Sequence, residues 1–119
     1  MSAIGFADFA ALKSLCHEDF VAELPYSDPP QHLEGFAAYR AYIEPALEVF
    51  RFSLALTCVH PGLDPDLLVA EYTSDGTATP TGKRYRNVYI GVWRFRDGRI
   101  SGLREFFNPT SANEALEVD

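Results

Sequence analysis

A glutamate follows an arginine and precedes two phenylalanines in the stretch LREFFNP, at positions 103–109. This residue, Glu105, comes after the turn signal RDGR and therefore falls in the last predicted strand. If the hairpin about Asp97 and Gly98 pairs in register, alternation with Leu103 turns Glu105 towards the aromatic face of the preceding strand. Aromatic walls would desolvate the carboxyl group, raise its pKa and suit it to general acid or base catalysis. A one-residue bulge would instead favour a surface glutamate paired with an arginine.

Further polar side chains on predicted strand and helix faces are candidates for the same site. Glu71 shares a strand face with Leu67 and Val69, which makes it a second candidate for a pocket carboxylate; a charge at the rim of the sheet is the alternative. Two carboxyl groups in one pocket would raise the pKa of one of them and provide an acid and a base. Four residues are candidates for substrate binding, or for core positions with internal hydrogen bonds: Asn87, Tyr89, Tyr26 and Tyr42.

The sequence contains no recognisable metal or nucleotide site. The three histidines lie at a helix end, in a proline loop and at a strand end, without clustered partners: His17, His32 and His60. The two cysteines lack metal-ligand spacing and are predicted to be buried free thiols: Cys16 and Cys58. No P-loop, GxGxxG or GxSxG motif occurs. We therefore expect neither a metal nor a cofactor.

Size and charge narrow the functional classes. With 119 residues, the chain is expected to form a single domain, residues 1–119, and a content of 47% hydrophobic and 13% aromatic residues is typical of a folded protein. A net charge of −7 repels nucleic acid and anionic lipid, so neither is an expected partner. No apolar run reaches membrane-spanning length and no signal peptide is recognisable, so a cytoplasmic location is expected.

The hydrophobic pattern predicts helices first and antiparallel strands afterwards. Apolar residues recur at helical spacing near the N-terminus, in a helix assigned to residues 1–18, and again over residues 36–50. Alternating patterns then predict four strands: RFSLALTCVH, LLVAEYTS, RYRNVYIGVWRFR and RISGLREFF. This order is typical of an α+β fold in which helices cover one face of a curved antiparallel sheet. The polar residues 110–119 are predicted to form a flexible tail.

The long predicted strand RYRNVYIGVWRFR has two different faces. One face carries Tyr89 and Trp93 and suits packing under the helices and lining a cavity. The opposite face places Val88, Ile90 and Val92 in a row between basic ends. Because a solvent-facing strand seldom has such a row, we expect a homodimer through these three residues.

Three stretches of the chain resemble a known family. They are EDFVAELPYSDPP with EGFAAYRAYI, then LLVAEY, and finally TGKRYRNVYIGVWRFRDGRISGLREFFNP. Together, over residues 8–109, they are similar to the SnoaL-like polyketide cyclases and ketosteroid-isomerase-like proteins of the nuclear-transport-factor-two-like superfamily. YRN and REFFNP are most similar to the phenazine-biosynthesis branch. The resemblance implies a cone-shaped sheet with N-terminal helices packed on its concave face.

The resemblance also implies roles for particular positions. Glu105 matches the pocket glutamate that is the general acid of the phenazine branch. Leu24 stands where ketosteroid isomerases have their aspartate base, and Tyr42 and Ala46 stand where the phenazine-type helix carries a histidine and a serine, so neither of those specific reactions is implied. These families also have a helix ahead of the one that ends in HEDF, so we expect a pocket open to solvent or closed by a partner chain.

Two functions are consistent with these residues. The first is a cofactor-free isomerase, cyclase or dehydratase that acts on a small apolar or polycyclic ligand bearing a carbonyl, with Glu105 as acid or base. The second is a non-catalytic module that binds a hydrophobic small molecule. They differ at Glu105, because catalysis requires a buried carboxyl group that titrates near neutrality, whereas binding tolerates glutamine.

Overall fold

A curved, open sheet of six strands forms the frame of the molecule. The computed structural model describes residues 9–117, so the first half of the predicted N-terminal helix and the last two residues of the predicted tail lie outside the described part. The helices are α1 (Phe9–Leu15), α2 (Phe36–Val49) and α3 (Pro109–Leu116). The strands are β1 (Cys16–Leu24), β2 (Gln31–Glu34), β3 (Phe50–Pro61), β4 (Leu67–Ala78), β5 (Arg84–Arg96) and β6 (Arg99–Phe107).

The strands lie in the order β2-β1-β6-β5-β4-β3. Every neighbouring pair is antiparallel except β1 and β6, which are parallel. β5 shows the predicted alternation clearly, because Tyr85, Tyr89 and Trp93 are buried on the concave face while Val88 and Ile90 are exposed on the outer face. The predicted α+β fold with a curved sheet is confirmed.

Asp97 and Gly98 form the predicted tight turn between β5 and β6. Their φ angles are 54° and 76°, and two positive values in succession are typical of a type I′ turn, whose twist matches that of the flanking strands. Glycine adopts this conformation without steric cost and aspartate tolerates it. The turn sets Arg96 opposite Arg99 and so begins the pairing of the two strands that carry the site.

α2 packs against the concave face of the sheet. Tyr39 and Leu47 are its buried side chains, and the Tyr39 ring meets Phe20 of β1 edge to face at 5.6 Å. The helix continues through Pro45 and ends at Val49. None of the helices in the described part of the chain has the length and apolar character needed to cross a bilayer.

Two predicted boundaries are wrong. The first helix ends at Leu15, not at residue 18, because the following HEDF segment belongs to β1. There Cys16 pairs with Ile100 of β6, so strand pairing replaces the helical hydrogen bonds. The segment predicted as a flexible tail, residues 110–119, instead forms α3 as far as Leu116, because the helix is capped at its start and buries Ala115.

Candidate active site

A cavity of about 440 Å³ lies between the concave face of the sheet, α2 and α3. Aromatic and aliphatic side chains form most of its lining, and a few polar groups converge on it. α3 contributes Ala112, Asn113 and Leu116 to the wall. A mostly apolar cavity with few polar groups is typical of a site for a small molecule.

Glu105 lines this cavity from β6. The Tyr72 hydroxyl of β4 donates a hydrogen bond to Glu105 Oε2. Removal from bulk water raises the pKa of Glu105 from 4.5 to about 7, against the smaller lowering effect of the Tyr72 hydrogen bond. Burial and the nearby carboxylate raise the pKa of Tyr72, which therefore stays a neutral donor. A carboxyl group that exchanges a proton near neutral pH, Glu105, is thus held by a fixed hydrogen-bond donor, the Tyr72 hydroxyl.

Gly91 provides the space in which these two side chains meet. It lies directly opposite Glu105 in the β5–β6 pairing and opposite Ala70 in the β4–β5 pairing. A Cβ atom at Gly91 would lie 2.7 Å from the Tyr72 hydroxyl oxygen and 2.4 Å from Trp93 Nε1. These distances are too short for any side chain, so glycine is required for the Tyr72 hydroxyl to cross β5 and reach β6.

A bulge in β6 determines the face on which Glu105 lies. Unshifted pairing from Arg96 and Arg99 would set Glu105 opposite Ile90, on the outer face. The register shifts between Arg94 and Phe95, however, and Glu105 then pairs with Gly91 on the concave face. The sequence prediction assumed that β5 and β6 pair without a bulge, and that assumption is wrong. A bulge was expected to place Glu105 on the surface, whereas this bulge turns its carboxylate inward.

A chain of buried hydroxyl groups lines the cavity beside Glu105. Asn87 Nδ2 donates to the Tyr85 hydroxyl at 2.8 Å, the Tyr85 and Tyr89 hydroxyl oxygens are 3.0 Å apart, and the Tyr89 hydroxyl donates to Ser74 Oγ at 3.1 Å. Because each hydroxyl has one proton to donate, Tyr85 must donate to Tyr89. The Tyr89 ring also stacks on Tyr72 at 5.3 Å, so the chain of hydroxyls and the carboxylate pair form one rigid wall.

Asn87, predicted to bind substrate, holds α3 in place instead. Its Nδ2 atom also donates to the Asn108 carbonyl at 2.9 Å, and its Oδ1 atom accepts from the Asn108 backbone N–H at 3.0 Å. Asn87 is buried and is not among the residues that line the cavity. Every polar atom of its amide is thus engaged inside the protein, so its effect on a ligand is indirect, through the position of α3.

The start of α3 carries a local signal that the prediction of a flexible tail overlooked. Asn108 accepts a hydrogen bond from the Thr110 backbone N–H at 3.0 Å, and Pro109 occupies the first turn. An asparagine cap followed by proline is typical of a helix start. At the other end, Thr81 Oγ1 donates to the Ala115 carbonyl at 2.5 Å and ties the helix to the β4–β5 loop.

Glu71, the second predicted pocket carboxylate, lies on the outer face. It pairs with Ile90 of β5, and its carboxylate contacts His60 Nε2 at 2.5 Å. The concave positions of β4 are Ala70, Tyr72 and Ser74, all buried. The predicted face of this strand is therefore reversed, because a strand with apolar residues on both faces does not reveal by alternation which face is inside.

The other predicted binding residues line the cavity, together with an acidic residue that was not predicted. Tyr42 projects from α2, and Tyr26 lies in the loop after β1, where it is largely exposed and meets Phe106 edge to face at 5.5 Å. Asp28, in the same loop, adds a carboxylate to the lining that the sequence did not predict. Loop residues have no periodicity from which their direction could be inferred.

The chain is similar in sequence and in structure to several known proteins. The model of the SnoaL-like domain matches residues 1–103. The chain is 34% identical over 112 residues to the uncharacterized protein YesE of Bacillus subtilis. The aligned region covers 92% of this chain and 76% of YesE. It is 35% identical over 104 residues to an uncharacterized PhzA/B-like protein of Pseudomonas aeruginosa, with 86% and 74% covered. A Bacillus subtilis crystal structure, provisionally named an isomerase, matches with a TM-score of 0.86 and 34% identity over 98% of this chain and 86% of the other.

Proposed function

The chain belongs to the SnoaL-like domain family, and from that premise we propose that it is a cofactor-free enzyme in which Glu105 acts as general acid and base. The pocket binds a small, mostly apolar molecule that bears a carbonyl group. The reaction is an isomerisation, cyclisation or dehydration that begins with removal of a proton from the carbon next to that carbonyl. The provisional name of the Bacillus subtilis relative supports this reaction class.

One observation carries the proposal: a carboxyl group with a pKa of about 7 faces a cavity lined by aromatic rings. General acid–base catalysis is most efficient when the pKa of the group lies near the working pH, because both protonation states are then populated. Desolvation by burial is the cause of this raised pKa. The hydrogen bond from the Tyr72 hydroxyl holds the carboxylate in one orientation.

The neighbouring residues have distinct proposed roles. Ionised Glu105 takes a proton from the substrate carbon. The resulting acid returns it to another carbon in an isomerisation, to a leaving hydroxyl group in a dehydration, or, in a cyclisation, to the oxygen of a second carbonyl whose carbon the carbanion attacks. Tyr72 keeps the carboxylate aimed at the cavity while it changes protonation state. Tyr26 and Tyr42 contact the substrate ring and donate hydrogen bonds from their hydroxyl groups to its carbonyl, whereas Tyr89, whose hydroxyl donates to Ser74, contacts the substrate through its ring.

The test measures the first proton transfer directly. Cyclic and polycyclic ketones are incubated with the protein in deuterated water, and NMR follows the loss of the proton signal next to the carbonyl. We expect wild-type protein to accelerate exchange for at least one ketone that it binds. Glu105→Gln should abolish the acceleration while binding persists, because the amide keeps the shape but cannot accept the proton.

Glu71→Gln is the matched control, since it removes the same charge from the outer face and should leave exchange unchanged. Equal exchange by Glu105→Gln and wild type would contradict the proposed role of Glu105. If every ketone that binds exchanges no faster than in buffer, the protein is instead the non-catalytic binding module, the alternative function.

We also propose that two copies associate through the outer face of the sheet. Val88 and Ile90 are 60% and 42% exposed, and Val92 continues their row. Full burial of a valine or isoleucine side chain contributes about 1.5–3 kcal/mol, so covering the exposed part of each side chain contributes a fraction of that. Arg86 and Arg94 border the row as exposed cations and would form the polar rim of the proposed interface.

Sedimentation velocity tests the association. Wild type should be dimeric at micromolar concentration and Ile90→Asp monomeric. Leu63→Asp is the control, because Leu63 is a fully exposed apolar residue in the loop between β3 and β4 and is not part of the row on β5. A monomeric wild type would refute the proposal, and a dimeric Ile90→Asp would place the interface elsewhere.

A further inference from the structure

Cys58, His60 and Glu71 form a cluster on the outer face of the sheet, where β3 is the edge strand. One sulfur, nitrogen or oxygen atom from each side chain lies within 4.8 Å of the other two. His60 Nε2 is 2.5 Å from Glu71 Oε2. The sequence predicted no clustered partner for His60 and a buried thiol at Cys58, whereas in the structure His60 has two partners and Cys58 is exposed.

A bulge in β3 creates the cluster. Leu56 pairs with Tyr72, and unshifted pairing would place Cys58 opposite Ala70 on the concave face. The register shifts at Thr57, so Cys58 pairs with Glu71, and strand alternation then carries His60 to the same outer face. The Thr57 hydroxyl donates to the Glu71 carbonyl at 3.0 Å and holds the bulge.

We propose that this cluster is a zinc site, with Cys58 thiolate, neutral His60 and the Glu71 carboxylate as its three protein ligands. Thiolate and imidazole ligands favour zinc and disfavour magnesium and calcium, which prefer oxygen. Three protein ligands leave a fourth, open position for water or another small ligand. Binding requires the Cys58 thiol to lose its proton to solvent, so affinity should rise with pH.

The distances between the ligand atoms suit a tetrahedral ion after small side-chain movements. With bonds of about 2.0–2.3 Å, ligand atoms around zinc lie roughly 3.3–3.7 Å apart. His60 and Glu71 would separate slightly from their 2.5 Å contact, and Cys58 Sγ would close in from within 4.8 Å. All three side chains are solvent-accessible: Cys58 is exposed, and the side chains of His60 and Glu71 are 53% and 37% exposed. They can therefore rotate without disturbing the core.

The experiment titrates the reduced, full-length chain with zinc in competition with a chromophoric indicator. It then repeats the titration with cobalt, whose absorption reports thiolate ligation and tetrahedral geometry. We expect one ion per chain and a sulfur-to-cobalt charge-transfer band. Cys58→Ser, His60→Gln and Glu71→Gln should each weaken binding by at least about tenfold, since even groups that only support ligands have effects of this size.

His32→Gln is the matched control. His32 lies 3.8 Å from a Glu23 oxygen and 3.5 Å from a Glu34 oxygen, so it has carboxylate neighbours but no thiol, and its loss should leave binding unchanged. Glu105→Gln should also bind zinc normally, which separates this site from the proposed active site. Failure to bind in excess zinc, a cobalt complex without the thiolate band, or unchanged affinity in Cys58→Ser and Glu71→Gln would each overturn the proposal.

Discussion

Replacing Glu105 by glutamine should change how the stability of the protein depends on pH. The folded-state pKa of Glu105 is about 7, against an ordinary value of 4.5. Between these two pH values the folded protein holds a proton that the unfolded chain has lost, so the stability contributed by protonated Glu105 falls as pH rises through this window. Below pH 4.5 the carboxyl group is neutral in both states and contributes no pH dependence.

The size of the effect follows from the same two values. A difference of about 2.5 between the folded and unfolded pKa corresponds to roughly 3–4 kcal/mol, at about 1.4 kcal/mol for each pKa unit. Because the Glu105 residue is only partly buried, solvent screens part of this penalty, and we expect about 1–3 kcal/mol. Glutamine has no ionised form, so the variant avoids the penalty altogether. Relative to wild type, Glu105→Gln should therefore be more stable at pH 8 than at pH 4 by this amount.

Urea unfolding at steps from about pH 4 to pH 8 measures the difference. Subtracting the wild-type free energy of unfolding from that of Glu105→Gln cancels the titration of all other groups. Parallel curves for Glu105→Gln and wild type would refute the reasoning that desolvation in the cavity raises the pKa of this group.

Three further substitutions test the surroundings of Glu105. Tyr72→Phe removes the hydrogen bond that lowers the pKa of Glu105, so the midpoint of its titration, followed by NMR, should move above about 7; an unchanged or lower midpoint would contradict the assigned hydrogen bond. Gly91→Ala places a methyl group 2.7 Å from the Tyr72 hydroxyl oxygen and should cost about 1–3 kcal/mol in urea unfolding, whereas Gly62→Ala, with open space around it, should be nearly neutral. Asn87→Ala leaves the Asn108 backbone N–H and carbonyl and the Tyr85 hydroxyl without this partner and should cost about 1–3 kcal/mol. Hydrogen exchange should then be faster in residues 109–116, and protection equal to wild type there would show that Asn87 does not hold the helix.

Local patterns in the sequence determined much of the frame. The aromatic and aliphatic faces of β5 follow from strict alternation, and the turn between β5 and β6 follows from an Asp-Gly pair that tolerates positive φ. The start of α3 was also encoded locally, in Asn108 and Pro109, although its low hydrophobicity concealed it. These features depend on neighbours within a few residues, so sequence alone contains the physical cause.

The faces on which the chemical groups lie were decided by tertiary structure. Side chains alternate with a period of two, so one extra residue in a strand moves every later side chain to the opposite face. The bulge in β6 moves Glu105 from the outer face to the cavity, and the bulge at Thr57 moves Cys58 and His60 to the face of Glu71. Whether such a bulge forms depends on hydrogen bonding and packing with strands distant in sequence, which no local pattern contains.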